Sequence, residues 1–398
     1  MFYCGIDIAK HKHEASVIDQ TGNALLDSIS FPNTKEGCEK LLALFERIGV
    51  VREDVLIGME ATGHYWLSVH AFFLDLGYDV KVINPIQSEA FRKMYIRQTK
   101  NDSKDSFIIA QIMRFGQFSA TTLSEDSIVA MRQLSRYRLA LVDSCGDCKR
   151  RVIALLDQVF PEYDGLFSDT FGVASKEVLS KYPTPEDLQN VSTRKLATLL
   201  AKASKGHFGE ERAKLLKATA AGSFGVGFAK DAFAFQIRQL IEQLQFLEKQ
   251  IEELEVQLTA LLRQTGSYIT TIPGIGDTLG AIILSEIGDI HRFDAPGKLV
   301  AFAGLDVKIN QSGEFLGTRQ KISKRGSPYL RRAIWLAASR AAFCDPILSA
   351  YYLSLKARGK HHLTAIGAVC RKLCNIIFAI LTENRPYQPT PPKDKPQS

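Results

Sequence analysis

Between Ile237 and Leu261 the sequence places Ile237, Leu244, Ile251 and Leu258 seven residues apart, and Leu240, Leu247, Leu254 and Leu261 at the complementary offset. Two interleaved sevens with no polar interruption require a helix whose apolar stripe is covered by another helix. A strand cannot use that spacing, because it returns to the same face every second residue. The seam predicts a coiled coil, filled either by another subunit or by an intrachain hairpin. We read it as a subunit contact, which makes the chain a homo-oligomer, a dimer or a tetramer.

The rest of the chain fits a soluble globular protein. Its 398 residues allow two or three domains, and 45% hydrophobic with 23% charged residues excludes a mainly disordered or fibrous chain. No apolar run reaches the ~18 residues of a membrane span; the best, Ile376 to Leu381, is short and follows Arg371 and Lys372. Asp7 interrupts what an export signal needs apolar, and an odd count of seven cysteines indicates reduced thiols. A cytoplasmic protein without a membrane partner is expected.

Short apolar runs at Phe2 to Ala9, Glu14 to Asp19 and Ala24 to Phe31 read as a three-stranded meander. A helix capped by Asn33 or Thr34 follows, then a strand from Val55 to Ala61, a helix around Trp66 to Leu76, and a strand from Tyr78 to Asn84. That alternation predicts an α/β layer fold with a mixed sheet. Residues 127–160 read as one long helix, and 161–230 as helical pieces that look like an insertion and point to no role. Beyond Gly266 we expect helix, turn, helix, an irregular strand-rich stretch from Val300 to Ile322, and three helices. Pro328 and Pro346 stand in first turns of these, and the last runs from about Leu363 to Glu383. The proline-rich tail from Pro386 reads as disordered.

Charge is unevenly divided: net −4 over residues 1–130, +2 over 131–266 and +9 over 267–398. Within the basic third, Arg319, Lys321, Lys324, Arg325, Arg331 and Arg332 stand without an intervening acid, as a surface for phosphates would. A solvated, solubilising face would look the same.

Asp7 and Glu60 stand in otherwise apolar strands, where a charge needs a reason. Asp102 and Asp105 are spaced i, i+3 at a helix start and share one face of its first turn. Four carboxylates on separate segments suit Mg²⁺, and two ions ~4 Å apart could clamp the attacking and leaving oxygens of a phosphodiester. Helix capping and a buried salt bridge would account for the same residues structurally. Gly274 and Gly276, in Ile272-Pro-Gly-Ile-Gly-Asp277, would let a backbone phosphate approach the following helix, or form a plain interhelical turn. Their spacing misses a dinucleotide fingerprint and no phosphate-loop motif occurs, so nucleotide cofactors are not expected. Ser312 sits in the turn signal Asn310-Gln-Ser-Gly313. The cysteine pairs at 145/148 and 370/374 read as packing thiols, and His361-His362 as solvated or phosphate-contacting.

Tyr3-Cys-Gly-Ile-Asp7-Ile-Ala-Lys10, Glu60-Ala-Thr-Gly63, Val82-Ile-Asn-Pro85 and Lys100-Asn-Asp102-Ser-Lys-Asp105 resemble the DEDD-motif insertion-sequence transposases related to the Piv invertases. Ile272-Pro-Gly-Ile-Gly276, Ala301-Phe-Ala-Gly304, Ser312-Gly313, Ser323-Lys-Arg-Gly326 and Leu330-Arg-Arg-Ala333 resemble that family's C-terminal transposase region. The resemblance implies an α/β ribonuclease H-like (RuvC-like) N-terminal domain, a helical coiled-coil middle and a mainly helical C-terminal transposase domain. We divide the chain as 1–130, 131–266 with the coiled coil at 231–264, 267–385, and a tail at 386–398. Carried over, Asp7, Glu60, Asp102 and Asp105 are the Mg²⁺-binding catalytic tetrad and Ser312 is the nucleophile. Donor and target DNA are the substrates, and a noncoding bridge RNA is the guide. Asp105 is followed by Ser106 where family members often have alanine. Roughly two hundred residues separate the tetrad from Ser312, which allows an active site composite between subunits. The resemblance implies transposition through a phosphoserine intermediate; a RuvC-type endonuclease or a site-specific invertase is the alternative.

Overall fold

The computed structural model describes residues 1–61, 64–83, 88, 89, 91, 102–116, 126–307, 311, 312, 315, 316 and 321–389; for 102–104, 311, 312, 315 and 316 it describes the backbone. Two compact units, Met1–Leu123 and Ser124–Ser398, make up the chain.

In the first unit β1 (Phe2–Asp7), β2 (Lys12–Ile18) and β3 (Ala24–Pro32) form the predicted meander. Thr34 then caps α1 (Lys35–Arg47) by accepting from the Gly37 amide. β4 (Val55–Glu60), α2 (Trp66–Asp75), β5 (Asp79–Ile83) and α3 (Asp102–Phe115) complete it. The strand order is β3-β2-β1-β4-β5, with β1 parallel to β4 and β4 parallel to β5. This mixed sheet with its helices is consistent with a ribonuclease H-like domain. All six residues of β4 are buried, as expected of a parallel strand covered on both faces.

Helix α3 lies very close to the sheet. Gly5 pairs with Ser16 on β2 and with Gly58 on β4, so three small residues form a row across three strands. A Cβ on Gly5 would stand 2.0 Å from the Ser106 carbonyl oxygen and 2.3 Å from the Ala110 nitrogen, and one on Gly58 would meet the Met113 side chain at 2.5 Å. The absent side chains are what let the helix seat. Ser106 is buried and its Oγ lies 2.7 Å from Ser16 Oγ. The serine that departs from the family pattern thus hydrogen-bonds to the same row.

In the second unit α4 (Asp126–Val159) and α9 (Lys230–Gln264) run antiparallel, with Arg138 on Glu255. Between them lie α5 (Val173–Lys181), α6 (Pro185–Asn190), α7 (Thr193–Ala203) and α8 (Glu210–Ala221). This overturns the subunit contact expected on the heptad seam. Ile237, Leu244, Leu247 and Leu254 pack with Leu141, Cys145, Cys148 and Val152 of α4, and Leu258 joins the C-terminal core. The periodicity specifies an apolar stripe and does not specify whose helix fills it; here α4 carries a matching stripe in the same chain.

The C-terminal core is built from α10 (Asp277–Ile287), α11 (Pro296–Phe302), α12 (Pro328–Cys344), α13 (Pro346–Ala357) and α14 (His362–Glu383). The stretch expected to be strand-rich from Val300 is helical through Phe302. Pro328 and Pro346 stand in first turns, and Asp345 caps α13 through the Leu348 amide. α14 is, among the described residues, the one helix long and apolar enough to cross a membrane, yet Ile366, Val369, Leu373 and Ile377 are fully buried against its neighbours. Cys145, Cys148, Cys370 and Cys374 are buried in the two cores. The tail departs from disorder at Tyr387, whose hydroxyl donates to Asp345 (2.7 Å) and whose amide donates to Thr271 (2.8 Å).

Candidate functional site

Along β1, Tyr3, Gly5 and Asp7 share the α3 face of the sheet, as Leu56, Gly58 and Glu60 do along β4. The β1–β4 register ends at Ile6↔Met59, so Asp7 and Glu60 are the next pair, at the carboxyl ends of neighbouring parallel strands. On the other flank Asp7 pairs with Glu14 of β2, which the sequence reading does not single out. Glu14 is held by Lys12 (3.2 Å) and by the Ser28 hydroxyl (2.9 Å). Three carboxylates side by side on one edge raise the field that favours a cation.

Helix α3 runs opposite to β1. Arg114 near its C-terminus touches Gly22 in the β2–β3 turn, while Ser106 lies over Gly5 and Ser16. Its first turn, with Asp102 and Asp105, therefore lies toward the Asp7 end of the strand. Asp105 is partly buried, and the Asp102 side chain is outside the described residues. Glu60 is buried and accepts a 2.8 Å hydrogen bond from Ser88, another residue the sequence reading misses. The loop after Asp7 is pinned by His13: the Ala9 amide donates to its Nδ1, and burial holds the ring below the ordinary histidine value. Among the described residues no three ligand-type side chains already converge on a single point. The donor set is all carboxylate oxygen, however, with one carboxylate buried at the end of an apolar strand, and it fits a hard divalent cation.

In the second unit Ser312 closes a short antiparallel pair, β6 (Gln311–Ser312) with β7 (Phe315–Leu316), in which Ser312 pairs with Phe315. The serine is the last residue of β6. The arm grows from a stem made by the Val307↔Ile322 bridge and by amides of Ser323, Lys324 and Ser327 donating to Asp306, Gly304 and Phe302. Lys321, Lys324 and Arg325 are exposed along the stem. Arg331 and Arg332 are committed to the fold: Arg331 donates to the Ala303 carbonyl and Arg332 pairs with Asp143 at 2.8 Å. The space expected at Gly274 for a phosphate is filled by α12, since a Cβ there would meet the Ala337 oxygen and Ala341 nitrogen at 2.8 Å, and its φ of +93° suits glycine. Gly276 caps α10 with open space beside it. His361 caps α14 and His362 bonds Tyr352. Gly63, Pro85, Lys100, Gly313 and Arg319 lie outside the described residues.

One cluster has no signal in the sequence. Glu286, buried in the apolar helix α10, takes a bidentate bond from Arg136 of α4 (2.7 and 3.1 Å) and a third from Ser327 (2.7 Å), the cap of α12. Arg136 also covers the Tyr329 ring at 4.6 Å. The clamp fixes the end of the basic stem to α4, and its partners stand 150 residues apart.

Residues 4–161 match a transposase family model, DEDD_Tnp_IS110, and residues 266–353 match one described as the transposase IS116/IS110/IS902 family. The chain is 24% identical over 396 residues to the insertion element IS116 uncharacterized 44.8 kDa protein of Streptomyces clavuligerus, covering 98% of this chain and 97% of the relative. It is 23% identical over 386 residues to the pilin gene-inverting protein of Moraxella bovis, 97% of each. It is 26% identical over 381 residues to the mini-circle putative transposase for IS117 of Streptomyces coelicolor, 91% of this chain and 89% of the relative.

Proposed function

The chain belongs to the IS110/IS116 family of transposases and is a DNA-processing recombinase, and from that premise we propose that it exchanges DNA strands through a covalent phosphoserine link. The observation that carries the proposal is the position of Asp7 and Glu60 one step beyond the Ile6↔Met59 pair, at the ends of adjacent parallel strands and beneath the helix that bears Asp105. Asp7, Glu60, Asp102 and Asp105 would hold Mg²⁺. When bound, the ion supplies charge neutralisation and polarisation at a phosphodiester.

Ser312, at the end of its arm, attacks phosphorus through Oγ. A phosphoserine ester forms, the bond to one deoxyribose oxygen breaks, that oxygen takes up a proton, and the serine proton is released. A strand hydroxyl then attacks the ester and returns the serine, so the bond energy is conserved across two steps. Lys321, Lys324 and Arg325 bind the backbone without reading sequence. Choice of site falls, by the family resemblance, to a bridge RNA. A second reading, site-specific inversion, is favoured by the end-to-end likeness to the pilin gene-inverting protein; a substrate with inverted sites would give inverted product.

The test is a trapped reaction on labelled DNA. Denaturing gels should show protein covalently attached to a strand, and Ser312→Ala should remove both the adduct and cleavage while retaining DNA binding. Cutting by Ser312→Ala at near wild-type rate with no adduct would make the chain a nuclease in which water attacks.

A further inference from the structure

Residues 162–265 lie outside both family models, and within them α5 and α7 wall a cavity of about 1030 Å³. Lys181, Arg194, Lys195, Lys202 and Lys205 line it against one acid, Glu177, which is already engaged by Lys181 at 3.3 Å. No acid occurs in the sequence between Asp187 and Glu210, and among the described residues no carboxylate lies within ion-pair distance of Arg194, Lys195, Lys202 or Lys205. Other cations of the same segment are paired: Lys214 with Glu210, Lys230 with Glu186 and Arg238 with Asp187. Four unneutralised cations on one cavity repel one another, a cost that an anionic occupant would remove.

Two features bring them together. Lys195 and Lys202 stand seven apart on α7, so they share a face about two turns, or ~10.5 Å, apart. Lys205 adopts a positive φ of 50°, uncommon for a side chain with a Cβ, and the turn it makes at the end of α7 leaves it on the same cavity.

We propose that this cavity grips the phosphate backbone of duplex DNA. Cations ~10.5 Å apart can engage separate phosphates of one strand, which carries one charge per ~3.4 Å of duplex axis. Tyr182 is the one aromatic ring in the lining, so there is no row of rings on which single-stranded bases could stack. Lysine-dominated contact positions a duplex without reading it. The inference rests on the reading of the chain as a DNA recombinase and adds a second grip, separate in sequence from the stem of the serine arm.

The test uses the full chain with Arg194→Gln, Lys195→Gln, Lys202→Gln and Lys205→Gln combined, and a control carrying Lys214→Gln and Lys249→Gln. Anisotropy with random-sequence duplex DNA and with an RNA hairpin is followed across salt, with thermal unfolding alongside. The quadruple variant should bind duplex at least about tenfold more weakly at ~0.15 M salt, and its slope of log affinity against log salt should shrink by roughly three to four, while the control keeps both. Lys195→Gln and Lys202→Gln singly, each expected to lower the slope by about one, decide the matter if the quadruple variant unfolds. Unchanged duplex binding by a variant of a DNA-binding parent overturns the grip alone. A loss confined to the RNA hairpin overturns the assignment to DNA, and a parent that binds no duplex overturns the recombinase reading together with it.

Discussion

Replacing Gly5 with alanine tests whether the carboxylate edge depends on the seating of α3. The new Cβ would stand 2.0 Å from the Ser106 carbonyl oxygen, about 1.4 Å short of the 3.4 Å at which ordinary contact begins. The obstacle is helix backbone, which no rotamer change can move, so α3 must lift or slide by around an ångström. Overpacking of that kind costs about 1–3 kcal/mol of stability. The shift acts one residue from Asp105, and a ~1 Å misplacement in a reacting site costs on the order of a hundredfold in rate. Gly5→Ala should therefore fold with a lowered midpoint, bind DNA through the lysines of the second unit, and recombine at about one hundredth of the normal rate or less. Gly58→Ala is the contrast, because its clash is with the flexible Met113 side chain, and Met113→Ala in the same chain should restore most of what it loses. The measurements are strand-exchange rate, duplex affinity and denaturant midpoint on each variant. Wild-type exchange by Gly5→Ala would refute the claim that helix seating sets the carboxylates.

Asp7→Asn, Glu60→Gln, Asp102→Asn and Asp105→Asn should each abolish recombination and leave the thermal midpoint near its normal value; an active variant removes that residue from the chemistry. Leu244→Glu should destabilise the second unit by several kcal/mol, about 2–5 from the lost side chain plus the buried charge, and should unfold it rather than release intact subunits in light scattering. Burial holds His13 and His70 below the ordinary value of 6.5, so the unfolded chain takes up protons there while the folded chain does not. Stability present above that value is lost as pH falls through it, by at most ~1.4 kcal/mol per pH unit per histidine, and a midpoint that holds or rises from about pH 7.5 to 5.5 would contradict this.

The strands, the caps and the first-turn prolines were legible because each depends on neighbours within a few residues. Asp7 and Glu60 stood out because a charge in an apolar strand is conspicuous wherever it occurs. Glu14 did not, since its strand alternates and a surface role explains it equally well. The heptad seam declared its stripe but not its partner, because α4 carries the matching sevens, Leu134, Leu141, Cys148 and Leu155 with Cys145, Val152 and Val159, partly as cysteines that read as isolated packing thiols. Ser106 looked like a mild departure until the sheet placed Ser16 opposite it, ninety residues away in the chain. The Arg136–Glu286 clamp and the basic cavity share that character: each is made of unremarkable residues that only folding brings together.

The antiparallel run of α4 and α9 makes the middle of the chain a stalk whose two feet stand side by side. Met131 and Leu139 at the foot of one limb share a core with Leu258 and Leu262 at the foot of the other, while the lobe from Phe160 to Phe228 joins the opposite ends and packs back along the limbs as far as Lys149 and Glu248. Length can therefore be added or removed in matched pieces, one from each limb, between the base and the Lys176–Glu248 contact without altering the spacing of the residues at the base. Relatives could diverge in reach while keeping a common base, and a truncation joining the limbs near Ala140 and Glu253 with a short turn would be a direct way to separate the work of the lobe from that of the base.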